Sequence, residues 1–379
     1  MIKKIDEMIS TNLEWLKSYN YTYWGCNHVP ESLFLNNKKW NTFIRTFYRL
    51  CPFNFRFGKQ YPITPQANII LLKALSTSQS NLKLQYSILK RILALKSSKT
   101  KNFAIKQGVK ISISLYEDSP EDPTPLNTVW FAQYLLDNDK CIFNDNQKKE
   151  LLISISNYLV TELGFIDYKE KGIYFHYGHH ISMVVYNASA LISSLLIKIG
   201  VKYNISNYQI LGSRGIKFII NNQNEDGSWF YAAYPARPTI DNFHQAYILE
   251  ALIEVKNNLD FSVEKNIKKG CEFYKTMFIK KSDKFIPIRY DKRYTPRNTW
   301  LFVKTDGRDL AEAIIFFSKY MYDAQILEKL IEYTYEKFYN KEKGYFYPEL
   351  FIYGKNRIPY FEFQSWFLYA LNIAKQELD

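Results

Sequence analysis

The sequence predicts an all-α fold, an (α/α)6 toroid or barrel of six helical hairpins with short aromatic-rich β-hairpin loops. Three observations predict it. Six segments begin with a Pro or polar turn and run into a mostly apolar helix. More polar helices lie between them, with apolar residues recurring at three and four, so that one stripe is buried and the other side is wet. Reference positions in the six apolar segments, Asn68, Asn127, Asn187, His244, Glu312 and Gln364, stand 59, 60, 57, 68 and 52 residues apart, room for two helices and their loops per repeat. Helices that are hydrophobic nearly all round need cover on every side. A closed ring of hairpins supplies it, whereas an open solenoid leaves the faces of its end helices exposed.

The elements follow in order. The opening MIKKIDEMISTNLEWLKSYN is an amphipathic helix, and residues 1–60 read as N-terminal helices and a loop segment completing the ring of a single domain, 1–379. The apolar series is PITPQANIILLKAL from Pro62, DPTPLNTVWFAQYLL from Asp122, HHISMVVYNASALISSLLIKIG from His179, RPTIDNFHQAYILEALIEV from Arg237, DGRDLAEAIIFFSKYM from Asp306 and YFEFQSWFLYALNIA from Tyr360. The amphipathic partners are LKLQYSILKRILALKSS, NQKKELLISISNYLVTELG, ISNYQILGSRGIKFIINNQ, EKNIKKGCEFYKTMFIKK and DAQILEKLIEYTYEKFYN. After them come aromatic loops such as LGFIDYKEKGIYFHY, NEDGSWFYAAYP, KFIPIRYDKRY and KEKGYFYPELF. Asp226-Gly227 and Lys343-Gly344 mark tight turns in which Gly takes a positive φ.

Composition bounds the function. The chain has 379 residues, 47% hydrophobic and 23% charged, a globular balance that excludes disorder. Aromatic residues make up 17%, which calls for a very aromatic core or a wide aromatic-lined cavity. The net charge of +13 favours an anionic partner, although a solvated lysine-rich face explains much of it. Basic residues are spread along the chain without a recognised module, so nucleic acid is not expected. The four cysteines, Cys26, Cys51, Cys141 and Cys271, show no CxxC spacing and read as structural thiols, with no metal and no cofactor expected. No secretion signal and no run of 18 apolar residues is present, so a cytoplasmic protein is expected. The basic charge is compatible with peripheral membrane or biosynthetic-complex association.

Gln223, Asp226, Gly227 and Trp229 in GIKFIINNQNEDGSWFYAAY resemble the Q-x-x-D-G-x-W repeat of terpene cyclase and protein prenyltransferase toroids. That resemblance implies a structural role, tying the end of one outer helix to the next element. The D-x-D-D acid of class II terpene cyclisation is missing, and so is the prenyltransferase zinc arrangement. YWGCNHVPESL (23–33), YRLCPFNFRFGKQYPITPQA (48–67), YNASALISSLL (186–196) and residues 223–252 resemble VpsJ-like proteins, bacterial toroids found with surface-polysaccharide biosynthesis. The similarity spans most of the chain and implies shared architecture without naming a reaction. The chain departs from that pattern at Cys26-Asn27-His28, where such proteins more often carry Tyr-Asp, so an activity needing that acid would differ here.

In a toroid the N-terminal ends of the inner helices open into the funnel, and such ends favour anions. Asp241, His244 and Tyr247 cluster at one start. Residues three apart share a helix face, so Asp241 could orient the His244 imidazole for proton transfer, with Tyr247 a turn further in. A capping Asp and a core histidine is the plainer alternative. Asp309 and Glu312 repeat the spacing on the next apolar helix, and Glu362 is a third candidate; paired carboxyl groups are what sugar hydrolysis requires. Arg237, Arg289 and Arg293 fall in loops near helix starts and suit a carboxylate or phosphate. Trp229, Tyr231, Trp300, Tyr360 and Trp366 could stack on sugar faces, with Asn187 at the funnel wall and His179 a substrate-binding candidate that reads equally as a structural histidine. His176-Tyr-Gly-His179-His180 lacks a Cys, Asp or Glu at metal-ligand register. No phosphate-binding loop, Rossmann glycine pattern, G-x-S-x-G or H-E-x-x-H occurs.

The expected function is a carbohydrate-active enzyme working by acid/base chemistry on a bacterial glycan or glycan precursor, as hydrolase, lyase or epimerase. The partner is an oligosaccharide or polysaccharide, with anionic, lipid-linked and nucleotide-linked forms all compatible. The alternative is a non-catalytic glycan-binding or assembly protein.

Overall fold

A computed structural model describes residues 1–21, 64–78, 81–108, 117–138, 143–178, 183–233, 238–281, 283–294 and 304–379, with isolated positions between 37 and 47 and at 111–112. The helices in chain order are α1 (Ile2–Ser18), α2 (Pro65–Thr77), α3 (Leu82–Leu93), α4 (Pro125–Asp137), α5 (Asp145–Asn157) and α6 (Tyr186–Tyr203). They continue as α7 (Ser206–Asn221), α8 (Asn242–Val255), α9 (Glu264–Tyr274), α10 (Gly307–Ile315), α11 (Ala324–Tyr333) and α12 (Phe361–Leu378). The even-numbered helices are the apolar series and the odd-numbered ones the amphipathic series. In α2, Ala67 through Leu72 are all buried, so the helix is enclosed on all sides. In α1 only Ile5, Met8, Asn12, Trp15 and Leu16 are buried, a single stripe at three and four.

Local chemistry sets the helix starts. Thr64 accepts from the Ala67 N–H, with Pro65 at the first position of α2. Asn144 and Gln147 form a reciprocal capping box on α5. Asp241, Asp306 and Asp323 cap α8, α10 and α11. α6 ends at Asn204, which takes the left-handed conformation at φ 56°.

The described residues fall into two compact units. One comprises residues 1–80, 278–289 and 295–379; in it α12 packs against α1, α2 and α10. The other comprises 81–277 and 290–294; there α6 packs against α4, α7 and α8. In this second unit Lys198 of α6 reaches Glu254 of α8 at 3.2 Å and Asp137 of α4 at 3.4 Å.

The aromatic loops form short antiparallel hairpins, Phe165–Asp167 with Ile173–Phe175, Phe278–Lys281 with Lys284–Pro287, and Tyr339–Asn340 with Tyr345–Phe346. A device recurs in four of the apolar helices: in α4, α6, α8 and α12 the fourth residue bonds the backbone of a buried residue in the preceding loop. Gln245 accepts from the Trp229 N–H at 2.9 Å and donates to the Trp229 carbonyl at 2.7 Å. Gln364 does the same to Phe346, both bonds at 2.8 Å. Ser189 accepts from Phe175 N–H and Thr128 from Ile105 N–H. This fixes the repeat register. Helices α2, α4, α6, α8, α10 and α12 start at 65, 125, 186, 242, 307 and 361, a spacing of 54 to 65 residues. The reference positions expected to be equivalent are not: Asn68 and Gln364 are fourth residues, Asn127 and His244 third, Asn187 second and Glu312 sixth. At about 100° per residue the fourth and sixth positions lie about 200° apart, on opposite faces, while the third and sixth share a face.

Candidate functional site

In the unit containing α8, the polar cluster begins with the helix cap. Asp241 accepts the His244 backbone N–H through Oδ1 at 3.2 Å, and its Oδ2 lies 2.7 Å from His244 Nδ1. One carboxylate therefore both caps the helix and fixes the imidazole. If Nδ1–H donates to Asp241, proton exchange falls to Nε2. The Asp241 side chain is 6% exposed and that of His244 is 14% exposed. The Tyr231 ring stacks on the imidazole at 4.5 Å, and Phe243 lies at 4.0 Å. Tyr247 stands edge-on to His244 at 6.0 Å, and Trp130 of α4 meets Tyr247 at 6.0 Å. The arrangement is an oriented imidazole in an aromatic surround.

In the unit containing α10, carboxyl groups gather with cations. Asp309 is wholly buried and takes Arg289 Nη1 at 2.8 Å. Glu312 accepts the Trp366 indole N–H at 3.2 Å. Asp306, the α10 cap, is held by Lys304 at 3.1 Å and Arg308 at 3.2 Å, and Lys304 also pairs with Glu349. Arg308 reaches Glu362 at 3.5 Å. Burial pushes the Asp306 carboxyl up, but Arg308 and Lys304 outweigh it and hold the group well below the carboxylate range. Burial dominates at Glu362, and the Arg308 charge does not offset it, so its carboxyl is raised. Two carboxyls one ion-pair network apart are thus driven in opposite directions, Asp306 toward the anion and Glu362 toward the acid.

The other expected residues take different places. Trp229 is a correction: it is fully buried, its Nε1 donates to Ile219 O at 2.9 Å and its backbone is clamped by Gln245, so it is a core residue and not a sugar platform. Gln223 donates to Gly227 O and to Asn266 O, joining the end of α7 to α9, the tie that the Q-x-x-D-G-x-W resemblance implies. The half-exposed guanidinium of Arg293 bonds Asp226 at 2.6 Å and Asp291 at 2.9 Å, bracing that same turn. Tyr360 packs with Ile358 and Phe363. Asn187 is the second residue of α6 and is 1% exposed. Arg237, His179 and Trp300, with Cys26, Cys51 and Cys141, lie outside the described residues. Cys271 is half-buried, and burial lifts its thiol to about 11. No three His, Cys, Asp or Glu side chains among the described residues converge as metal ligands. No helix among them is long and apolar enough to cross a membrane.

Sequence reasoning missed Lys304 and Glu349, which meet only through strand pairing of Lys304–Asp306 with Glu349–Phe351. Asp306 carried a usable signal, an Asp-Gly pair directly ahead of an apolar helix.

No family model matches the chain, and no curated protein matches it in sequence. Solved structures do match in fold. A cellobiose 2-epimerase from Bacillus thermoamylovorans aligns at a TM-score of 0.60 and 8% identity, covering 83% of this chain and 88% of its own. A glycoside hydrolase family 76 mannosidase from Bacteroides thetaiotaomicron aligns at 0.60 and 8% identity over 100% of both chains. An unsaturated glucuronyl hydrolase specific for heparin aligns at 0.58 and 11% identity, covering 99% and 96%. The fold is the all-α (α/α) toroid of helical hairpins that the sequence predicts.

Proposed function

We propose that this protein is a carbohydrate-active enzyme in which the Asp241–His244 pair transfers protons at a glycan or glycan precursor. The observation that carries the reading is the 2.7 Å bond from His244 Nδ1 to the helix-capping carboxylate, within an aromatic surround suited to sugar faces. The fold likeness to an epimerase, a mannosidase and a glucuronyl hydrolase supports the substrate class. An imidazole base favours proton abstraction beside a carbonyl or carboxylate, as in epimerisation or elimination, over two-carboxyl hydrolysis. In the α10 cluster Asp306, Asp309, Glu349 and Glu362 each face a cation, which makes them poorer partners for hydrolysis. The +13 charge supports an anionic sugar, and the VpsJ-like resemblance supports surface-polysaccharide assembly as the setting.

The test is turnover of charged and neutral oligosaccharides by purified His244→Gln and Asp241→Asn proteins. Asn caps helices as well as Asp does, so the second variant keeps α8 while removing the charge behind the imidazole. Both are expected to lose about 100-fold or more in kcat, the scale of a general base. Full activity in both overturns the assignment. Glycan binding without turnover in the wild type favours the alternative of a non-catalytic glycan-binding protein, for which Tyr231, Tyr247 and Trp130 would serve equally.

A further inference from the structure

The first turn of α6 is built unlike an ordinary packing helix. Its cap position is Val185, which offers no side-chain acceptor, and its first turn holds no acidic residue. The Tyr186 N–H is met by the Tyr231 carbonyl at 3.3 Å. The next residue is Asn187, 1% exposed, and neither its Nδ2 nor its Oδ1 has a hydrogen-bond partner. An enclosed carboxamide with both atoms unsatisfied is costly and calls for an explanation. The backbone N–H groups at the second and third positions of a helix also point out of its N-terminal end, where the helix dipole favours negative charge. The end therefore presents four N–H donors, two from the backbone and two from Nδ2, against one acceptor atom, Oδ1. A carboxylate is acceptor-only and matches that excess; a hydroxyl, donor and acceptor at once, matches it less well. The location also fits, because Tyr231 ties this turn to α8: its carbonyl holds Tyr186 and its ring stacks on His244 at 4.5 Å.

We infer that the N-terminal end of α6, with Asn187, is a binding subsite for the carboxylate of an acidic sugar, an assignment that rests on the carbohydrate reading above. The amide is enclosed, so the ligand reaches it with a shift of neighbouring side chains, as is common on binding.

The experiment is calorimetric titration of the full chain with two matched disaccharides, one carrying a C6 carboxylate and the other a C6 hydroxymethyl group. The wild type is expected to bind the acidic sugar about tenfold more tightly, the scale of one hydrogen bond to a charged group. Asn187→Leu, close in shape, is expected to bring the acidic sugar down to the neutral level while leaving the melting temperature unchanged or higher, because an unsatisfied polar group is removed. His244→Gln is expected to keep the preference for the acidic sugar. Equal wild-type affinity for the two sugars overturns the subsite and leaves the carbohydrate reading standing. Failure to bind either sugar overturns both. A lower melting temperature in Asn187→Leu overturns the subsite in favour of a structural amide, one that holds an internal water.

Discussion

Replacing Gln245 with Leu tests the device that sets the repeat register. Gln245 is 1% exposed and makes two bonds to the backbone of Trp229, at 2.9 and 2.7 Å. Leu fills similar space but can make neither. The Trp229 N–H and carbonyl would then be buried without partners, and each such loss costs about 1–3 kcal/mol. The better burial of an apolar side chain offsets part of this, so the expected net loss is about 3 kcal/mol. Thr128→Val is the internal scale. It removes the bond accepted from Ile105 N–H at 2.9 Å and the one its hydroxyl donates to Thr124 O at 2.7 Å, but that carbonyl keeps the Thr128 N–H, so only one backbone group loses its partner and the cost should be about half as much. The assay is guanidinium unfolding read as a change in midpoint at constant slope. A Gln245→Leu loss below about 1 kcal/mol, or one smaller than that of Thr128→Val, refutes the clamp as an energetic feature.

Two further perturbations follow from the same structure. Asp306 has a depressed folded-state carboxyl, so its stabilisation is present above the ordinary Asp range and is lost as pH falls through the folded value. Asp306→Asn should therefore flatten the decline in stability on acidification and cost about 3–5 kcal/mol at neutral pH by breaking a buried ion pair. Glu362 has the opposite sign: its raised carboxyl favours the protonated fold, so its contribution fades as pH rises past the ordinary Glu range. Glu362→Gln should be more stable than wild type at neutral pH, with the gap closing in acid, both read from melting curves across pH. Gly227 sits at φ 93°, and a Cβ there would lie 2.3 Å from the Lys269 carbonyl oxygen. Gly227→Ala should cost roughly 3 kcal/mol in the same unfolding assay, from left-handed strain and from displacing α9.

The alternation of apolar and amphipathic helices was legible because it is a local signal. Burial all round α2, and along one stripe of α1, is written in the spacing of Ile, Leu, Met and Trp in each. Gly227 and Gly344 were legible as turns, and both take a positive φ. The register was not legible. Hydrophobicity alone cannot separate neighbouring positions of a helix buried on every side, so polar residues at its second, third, fourth and sixth positions looked equivalent. Trp229 misled for a related reason, since an aromatic beside a turn reads the same whether its indole meets solvent or the Ile219 carbonyl.

The candidate site was legible where its geometry is intrahelical. Asp241 with His244 is an i, i+3 pair, and helical geometry alone brings the two side chains together, which is why the 2.7 Å contact was foreseeable. The α10 cluster depends on tertiary structure. Arg289 meets Asp309 across 20 residues, and Trp366 meets Glu312 across 54. That last separation is one repeat. Glu312 and Trp366 are each the sixth residue of an apolar helix, and in α12 that position lies on the face opposite the Gln364 clamp. Trp130 and Tyr247, also sixth residues, meet in the other unit. The clamp at the fourth position thus carries the information that hydropathy lacks. A Gln, Ser or Thr that holds the preceding loop from the fourth position leaves the sixth residue of its helix about 200° away, on the opposite face, as Trp130, Tyr247 and Trp366 are placed in α4, α8 and α12.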